Sequence, residues 1–558
     1  MQIFGNSKGL KASHVRQLER LGNRRLPAER LVTQDFARQL TALSHETGRL
    51  VGVLVDRRGD VTHVMVGDSR SLEMPDWGRM RAGRGRLRGL RCIHTCLGDD
   101  GLTRDDLTDL ALLRLDAMVS IETLDDGLPG LAHVASLKPA NEAGTAIEKL
   151  EPTHPAQLDL DFREWIDALE EELARQSQTR EVAGAERAIL VSVTGGRQRA
   201  DVDAQLDELK ELARSADVEV AEVVTQQRPR VDPKTLIGSG RLQDLVIRAF
   251  QADVDLVIFD QNLTPAQARN LGEKLDLRVM DRTQLILDIF AQHARTRDGK
   301  LQVELAQLKY RLPRLAQRAD LSLSRLAGGI GGRGPGEQKL EIDRRRTRDR
   351  IRRLEKELDK LRKQRTARRR RRERRELPIL SIVGYTNAGK STLLRALTRT
   401  EVHVEDKMFA TLDPTSRRLR FPQDREVIVT DTVGFIRDLP ADLVEAFRAT
   451  LEEISEASLL LHVVDVAAPD FERRIAAVRE VLAKIGHGDT PELLVFNKID
   501  RLPPGVGTAI AERHGAAAVC ALKRRGLADL LHRADELLGK SQPNAKGLPG
   551  PRQEAYGG

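Results

Sequence analysis

The spacing of apolar and polar positions changes character several times along this chain. LVGVLVDRRGDVTHVMVG (50–67) predicts two strands around a turn at Arg57–Asp60. LTRDDLTDLALLRLDAMVSI (102–121) predicts a helix capped by Thr103, then a strand. The stretch 138–158, with Pro139, Pro152 and Pro155, predicts a boundary. Beyond residue 186 the pattern becomes an alternation. AILVSV (188–193) reads as a buried strand and DVDAQLDELKELARSA (201–216) as an amphipathic helix. VEVAEVV (218–224) and VDLVIFD (254–260) read as strands, and PAQARNLGEKL (265–275) as a helix capped by Thr264. Such alternation predicts a small α/β unit.

Two long helical patterns follow, over roughly 297–325 and 337–375. In the second, Leu340, Thr347, Ile351, Leu354, Leu358 and Leu361 recur three and four apart, a coiled-coil-like seam. LAGGIGGRGPGEQ (326–338) separates them and cannot continue a helix. The pair therefore predicts an antiparallel hairpin with a glycine-rich tip; a plain flexible linker is the other reading of that segment. Residues 377–540 alternate strand and helix again, and the tail 541–558 has the composition of a disordered segment. The expected fold class is α/β. It comprises an N-terminal α/β extension (1–180), an α/β subdomain (186–294), a long helical hairpin (295–376) and a P-loop domain (377–540).

Composition and charge narrow the class. The 558 residues suffice for three or four domains, and 3% aromatic content predicts cores of Leu, Val, Ile and Ala. Three cysteines, at 92, 96 and 520, are too few for a disulfide framework and suit a reducing compartment. No signal-peptide pattern opens the chain, and no apolar run reaches the roughly 18 residues of a membrane span. A soluble, cytoplasmic monomer is the expectation. Net charge is only +8, but RKQRTARRRRRERR (362–375) concentrates cations, which suggests a polyanionic partner or a solvated helix end.

The chemistry sits in the last domain. ILSIVGYTNAGKSTLLRAL (379–397) is a strand, a glycine loop and a helix, and matches G-x-x-x-x-G-K-[ST] in the context that motif requires. Gly384, Tyr385, Thr386, Asn387, Ala388, Gly389, Lys390, Ser391 and Thr392 are the candidate phosphate-binding positions. Backbone N–H groups and the helix N-terminus suit phosphate oxygens. Lys390 suits the β- and γ-phosphates, and Ser391 offers its hydroxyl to Mg²⁺. Thr411, in MFATLDPTSR (408–417), is placed to complete the Mg²⁺ shell. VIVTDTVG (427–434) ends in D-x-x-G, so Asp431 suits a Mg²⁺-bound water and the Gly434 N–H the γ-phosphate. ELLVFNKID (492–500) ends in N-K-x-D. There a buried Asp500 carboxylate would accept from guanine N1–H and its 2-amino group, which adenine cannot satisfy. Lys498 would pack on the base and Asn497 would tie the loops together. In VCALK (519–523), Cys520, Ala521 and Leu522 form the last loop, with the Ala521 N–H near guanine O6. Lys390, Thr411, Asp431 and Gly434 are thus the catalytic candidates for GTP hydrolysis. Phe435 stands where the best-known GTP switches carry a glutamine that orients water.

These four motifs in order, with RPRVDPKTLIGSGRLQ (228–243), residues 259–294, GGRGPGEQKLEIDRRR (331–346) and the pairing of FATLDPT with DTVGFIRDLP, resemble the HflX family, translation-factor GTPases that act on ribosomes. The resemblance covers roughly 186–540. It implies binding to the large ribosomal subunit and its rRNA, with the hairpin reaching toward the peptidyl-transferase region. It also implies separation of stalled ribosomes under stress. Gly331, Gly332, Arg333, Lys339, Arg369, Arg370 and Arg371 are the candidate RNA contacts, through phosphates rather than base edges. Asn387 lies where related GTPases bind potassium, so K⁺ is a candidate cofactor beside GTP and Mg²⁺; a simple loop stabiliser is the other reading. Two other functions stay open: an RNA-binding module with GTP as a barely hydrolysed ligand, and a GTPase partner of a tRNA-modifying enzyme.

The extension falls outside that resemblance. ETGRLVGVLV (46–55) followed by CIHTCLGDDGLTRDDL (92–107) resembles JAB/MPN metalloprotease-like domains, with His94 kept, Cys96 in place of a second histidine, and Thr103 and Asp106 following one residue early. The order of Glu46 before them belongs to that resemblance, and His94, Cys96 and Asp106 make zinc a candidate. Cys92 and Cys96 as ordinary buried residues is the other reading.

Overall fold

A computed structural model of the chain describes residues 3–75, 86–98, 101–139, 146–181, 186–196, 199–324, 335–373, 377–398, 408–409, 415–421, 425–432, 434–437, 454 and 457–541, with backbone only at 176–181, 199–200, 315–324, 335–341, 364–373, 415 and 540–541. It divides into two compact units, one of residues 1–198 and 217–280, the other of residues 199–216 and 281–558.

The first unit holds two sheets. β1 (Ile3–Gly5), α1 (Ala12–Gly22), α2 (Gln34–Thr47), β2 (Val51–Asp56), β3 (Val61–Val66), β4 (Leu90–Cys96), α3 (Arg104–Leu113), β5 (Ala117–Thr123), β6 (Pro129–Leu137), β7 (Ile147–Lys149) and α4 (Phe162–Glu181) build the extension. Its seven strands run β1-β3-β2-β4-β5-β6-β7. The turn between β2 and β3 and the Thr103 cap fall at the expected places. The boundary expected at 138–158 instead carries β7, hydrogen-bonded to β6. Arg91 on β4 is fully buried, donating to the carbonyls of Leu31 (3.2 Å) and Asp56 (3.0 Å) beneath the Phe162 ring (4.4 Å). Burial lowers this guanidinium to about 10, yet the carbonyls keep it paired.

β8 (Glu186–Thr194) follows, then α5 (Arg199–Ser215), β9 (Val218–Gln227), α6 (Ser239–Gln251), β10 (Leu256–Phe259), α7 (Pro265–Leu275) and β11 (Arg278–Asp281), with strand order β11-β10-β8-β9. Ladders β8–β9 and β8–β10 are parallel, as the alternation required. The sequence pattern did not single out α6 or β11. The Thr264 cap is a full capping box with Gln267. α3 lies against α6, where Arg104 pairs with Asp244 and the Arg114 guanidinium sits 5.3 Å from the Phe250 ring centroid. One apolar core runs through both sheets of this unit, from Leu18 to Leu275.

In the second unit, α8 (Arg282–His293) leads into α9 (Arg297–Ser324) and α10 (Pro335–Glu373). These two form an antiparallel pair. Leu301, Leu305, Ile351 and Leu354 are its buried seam, extended by Leu308, Leu312, Leu358 and Leu361. Glu304–Arg350 (2.8 Å) and Lys309–Glu355 (2.9 Å) flank it. The glycine segment with Gly331, Gly332 and Arg333 lies outside the described residues. Arg297, the first residue of α9, pairs with Glu357 at 3.7 Å, so α10 runs past the start of α9 before it ends. Arg369, Arg370 and Arg371 lie on that overhang, at the opposite end of α10 from Lys339. At roughly 1.5 Å per residue, Lys339 and Arg369 are about 45 Å apart along α10.

The remaining elements are β12 (Ile379–Gly384), α11 (Lys390–Thr398), β13 (Thr415–Arg420), β14 (Glu426–Asp431), β15 (Leu459–Asp465), α12 (Phe471–Lys484), β16 (Glu492–Asn497), α13 (Val506–Arg513), β17 (Ala517–Ala518) and α14 (Leu527–Ser541). The sheet runs β13-β14-β12-β15-β16-β17, with β13 antiparallel to β14. Its four central strands are parallel and buried on both faces, which is why they read as unbroken apolar runs.

Leu354 has no exposed surface in the seam. Leu354→Ala should destabilise the arm by about 2–4 kcal/mol. Faster amide exchange in α9 and α10, with exchange in β12 and β16 unchanged, is the expected signature.

Candidate functional site

The sequence motifs converge at the carboxyl ends of β12, β14 and β16. Gly384 ends β12 at φ 149°, where a Cβ would stand 2.2 Å from the Val463 carbonyl oxygen. Only glycine lets the chain turn away from β15 there. Asn387 is left-handed at φ 58°, a conformation asparagine tolerates. Lys390 opens α11, and Ser391 and Thr392 fill its first turn. The Lys390 ammonium folds back on the Tyr385 carbonyl at 2.9 Å and is buried. Desolvation lowers it to about 8, partly countered by Asp431 and deepened by Lys498. The Ser391 hydroxyl donates to Asp431 at 2.8 Å. Two hard oxygen donors side by side at a helix N-terminus fit Mg²⁺. Thr411 lies outside the described residues.

The loop after β14 lies against the phosphate loop. The Thr386 N–H donates to the Phe435 carbonyl at 2.7 Å, and the Phe435 N–H to the Gly384 carbonyl at 3.1 Å. A Cβ on Gly434 would stand 2.7 Å from Thr386 Cγ2 and 3.1 Å from Lys390 Nζ. Phe435 does not face the site at all. Its ring is buried with Val383, Ile454, Leu460 and Val478. The residue in the glutamine's place is thus a core residue whose backbone joins two loops.

At the base end, the Asn497 amide donates to the Ala388 carbonyl at 2.9 Å, and its oxygen accepts from the Ala521 N–H at 3.0 Å. The Lys498 ammonium reaches the Asn387 carbonyl (2.7 Å) and Asp465 (2.8 Å). Asp500 accepts from the Cys520 thiol at 3.1 Å and pairs with Lys523 at 3.2 Å. The thiol bond first, and Lys523 with it, hold its carboxyl below the usual range. Cys520 takes the role a serine hydroxyl would have. Leu522 is 72% exposed beside it.

Two expectations change, at Asp500 and at Ala521, and the Tyr385 side chain takes a place that the sequence did not suggest. The Asp500 side chain is 20% exposed, not buried; a bound base would have to provide the cover. The Ala521 N–H, expected near guanine O6, is engaged by Asn497. Tyr385 does not point its side chain at phosphate. Its hydroxyl donates to Glu208 on α5 at 2.7 Å and accepts from the Arg437 N–H at 2.8 Å. Glu208 also pairs with Arg282, the first residue of α8. Neither was singled out from the sequence, since Glu208 is one of several acidic residues in an amphipathic pattern.

The zinc reading, left open beside that of ordinary buried cysteines, gains no support from the described residues. His94 Nε2 stands 3.3 Å from Asp106, but Asp106 and Thr103 form the capping box of α3. Glu46 pairs with His14 at 3.6 Å, and the Cys96 thiol donates to the Gly98 carbonyl at 3.5 Å. Burial raises both the Cys92 and Cys96 thiols, which opposes thiolate ligation. Among the described residues no group of three or more such side chains is arranged to hold a metal.

A parallel-centred sheet carrying a glycine phosphate loop, a D-x-x-G loop and an N-K-x-D loop defines a P-loop GTPase. Residues 203–291 match the family described as GTP-binding GTPase N-terminal, residues 293–372 the GTP-binding GTPase middle region, and residues 379–498 the 50S ribosome-binding GTPase. The GTPase HflX of Caldanaerobacter subterraneus subsp. tengcongensis is 52% identical over 338 residues, which cover 61% of this chain and 76% of that protein. The GTPase HflX of Escherichia coli K12 is 47% identical over 317 residues, 57% of this chain and 74% of that one. A GDP-bound GTP-binding protein from Sulfolobus solfataricus is similar at 24% identity over 64% of this chain and 100% of that chain, with a TM-score of 0.36. The chain belongs to the HflX family of GTPases and hydrolyses GTP.

Two outcomes follow from this site. Asp500→Asn removes the acceptor for guanine N1–H and the 2-amino group, so GTP affinity should fall about 100-fold or more while xanthosine triphosphate binds better; competition against a fluorescent nucleotide reads both. Lys390 near 8 when free should be fully protonated against bound phosphates. Nucleotide binding should therefore take up a fraction of a proton at pH 8–9 and almost none at pH 7. Calorimetry in two buffers of different ionisation enthalpy measures it.

Proposed function

We propose that this GTPase binds the large ribosomal subunit through its rRNA, uses GTP binding to separate stalled ribosomes under stress, and uses hydrolysis to leave. The observation that carries the reading is the two-helix arm in the same compact unit as the GTP site. The matched family description names 50S ribosome binding. A slim pair of helices with a glycine segment at one end and an arginine block at the other suits a crowded, anionic cavity. Gly331, Gly332, Arg333 and Lys339 would make phosphate contacts deep in it, and Arg369, Arg370 and Arg371 would meet RNA near the arm's base.

At the nucleotide, backbone N–H groups of Asn387, Gly389, Lys390 and Ser391 would bind the phosphates, and the Lys390 ammonium would offset charge that develops on the β–γ bridge. Ser391 would hold Mg²⁺ directly, with Thr411, and Asp431 through water; the ion would supply further charge neutralisation. Gly434 would report the γ-phosphate. With the Phe435 ring in the core, water orientation falls to backbone groups, to potassium held near Asn387, or to the ribosome. Intrinsic turnover is therefore slow, and a slow step suits a timer.

GTP hydrolysis measured alone and with purified large subunits, in potassium and in sodium, tests the proposal. At least 10-fold stimulation by subunits is the expected outcome, weakening steeply with salt. A rate indifferent to subunits overturns the ribosome reading and favours a passive GTP-liganded RNA binder. Equal rates in potassium and sodium remove the cation.

A further inference from the structure

The loops that flank the nucleotide are tied to one pair of helices outside the GTPase sheet. After D-x-x-G, the Arg437 N–H donates to the Tyr385 hydroxyl at 2.8 Å, and the Arg437 carbonyl accepts from Arg282 at 3.3 Å. Both backbone groups of one residue are thus held from outside the loop. The Tyr385 hydroxyl in turn donates to Glu208, which pairs with Arg282. Burial first, and the Glu208 carboxylate with it, raise the phenol, so it keeps the proton it donates. Tyr385 is 4% exposed, and the Arg474 guanidinium lies 5.1 Å from its ring centroid.

The segment before Thr411 is held by the same two helices. The Met408 N–H donates to the Ser215 hydroxyl, at the end of α5, at 2.8 Å. The Phe409 ring meets Phe290 of α8 edge-on at 4.6 Å. Phe409 adopts φ 59°, a strained conformation for an aromatic residue that its surroundings must enforce. α8 therefore touches both segments directly, through Arg282 and Phe290, while α5 touches Met408 through Ser215 and reaches the loop after D-x-x-G only through Tyr385.

α8 also anchors the arm. Asp281, its N-cap, accepts from the Gln284 N–H at 2.9 Å and from Tyr310 and Arg314 of α9. Gln307 of α9 donates to Asp288 at 3.2 Å. Asp281 and Arg282 are adjacent residues; one holds the arm, the other holds the loop after D-x-x-G.

We infer that Tyr385, Glu208 and Arg282 are positioning residues that set the geometry of the γ-phosphate-sensing loop and pass its state through α8 to the base of the arm. The inference rests on GTP hydrolysis by this chain and is independent of whether the arm meets a ribosome. A γ-phosphate that draws in Gly434 must pull on Arg437, three residues on. That pull changes the Tyr385 and Arg282 bonds, and Arg282 cannot shift without the helix it begins.

The test uses the full chain with Tyr385→Phe, Glu208→Gln and the double variant, without ribosomes. Tyr385→Phe removes one oxygen, and Glu208→Gln keeps the shape. Each single variant should bind GDP within about threefold of the parent and keep its KM, while kcat falls about 10-fold. The double variant should be no worse than either single one, because the residues act through one connection. Amide exchange over 300–312 should differ between GDP and a non-hydrolysable GTP analogue in the parent and lose that difference in both variants. Parallel losses of GDP affinity and kcat, additive effects, or an unchanged nucleotide response at 300–312 would each overturn the inference. Should Glu208→Gln fail to fold, Tyr385→Phe alone decides by the kcat-against-KM split and the exchange readout. A parent with no measurable turnover is a failure of the enzyme assignment, separable because the exchange difference needs only nucleotide binding.

Discussion

The nucleotide site depends on Asn497. Its side chain accepts from the Ala521 N–H and donates to the Ala388 carbonyl, so one residue at the end of β16 joins the phosphate loop to the two loops that would read the base. A Cβ on Gly389 would stand 2.4 Å from its amide nitrogen, so the glycine is required by that closeness as much as by phosphate. Preorganisation of this kind reduces the entropy lost on binding. The Lys390 ammonium is buried beside this loop. Burial depresses that ammonium, and the anion it awaits would reverse the shift.

The same economy explains Phe435. A glutamine there would need a polar setting for its amide. In this chain the position is a bridge between Gly384 and Thr386, made with the backbone, and the side chain fills a pocket under β12 and β15. The apolar residue is a consequence of how closely the D-x-x-G loop lies on the phosphate loop. Water positioning is lost from that side chain, and a rigid contact between the two loops is gained.

Local features of this fold were legible because they are written in adjacent residues. Parallel strands read as apolar runs, caps as Thr103 and Thr264, the arm as Ile351 and Leu354 at seam spacing. Tyr385, Glu208 and Arg282 were not legible, since their meeting joins positions 177 residues apart in the chain. Tyr385 inside a phosphate-loop motif reads as a phosphate neighbour, whereas its side chain leaves the loop sideways. Lys339 and Arg369 fall about 45 Å apart along α10 at roughly 1.5 Å per residue, so the cations of that helix are spread along its length. Of the metal-like set His94, Cys96 and Asp106, the helix cap at Thr103 accounts for Asp106, and the Cys96 thiol donates to the Gly98 carbonyl.

The buried pair of Arg282 and Glu208 makes a last point. Breaking such a pair from one side costs about 3–5 kcal/mol, while replacing both partners with apolar residues is often neutral or stabilising. Stability alone therefore gives little reason to keep it. What an apolar pair could not do is hold the Arg437 carbonyl with a guanidinium and orient the Tyr385 hydroxyl with a carboxylate. Arg282 sits at the first turn of a helix whose cap, Asp281, is fully buried and grips the arm, and Glu208 reaches it from α5. Directional bonds at that place convert a small displacement of the loop into a change at the helix end, where close packing would only transmit bulk. The polar pair is better explained by position than by stability.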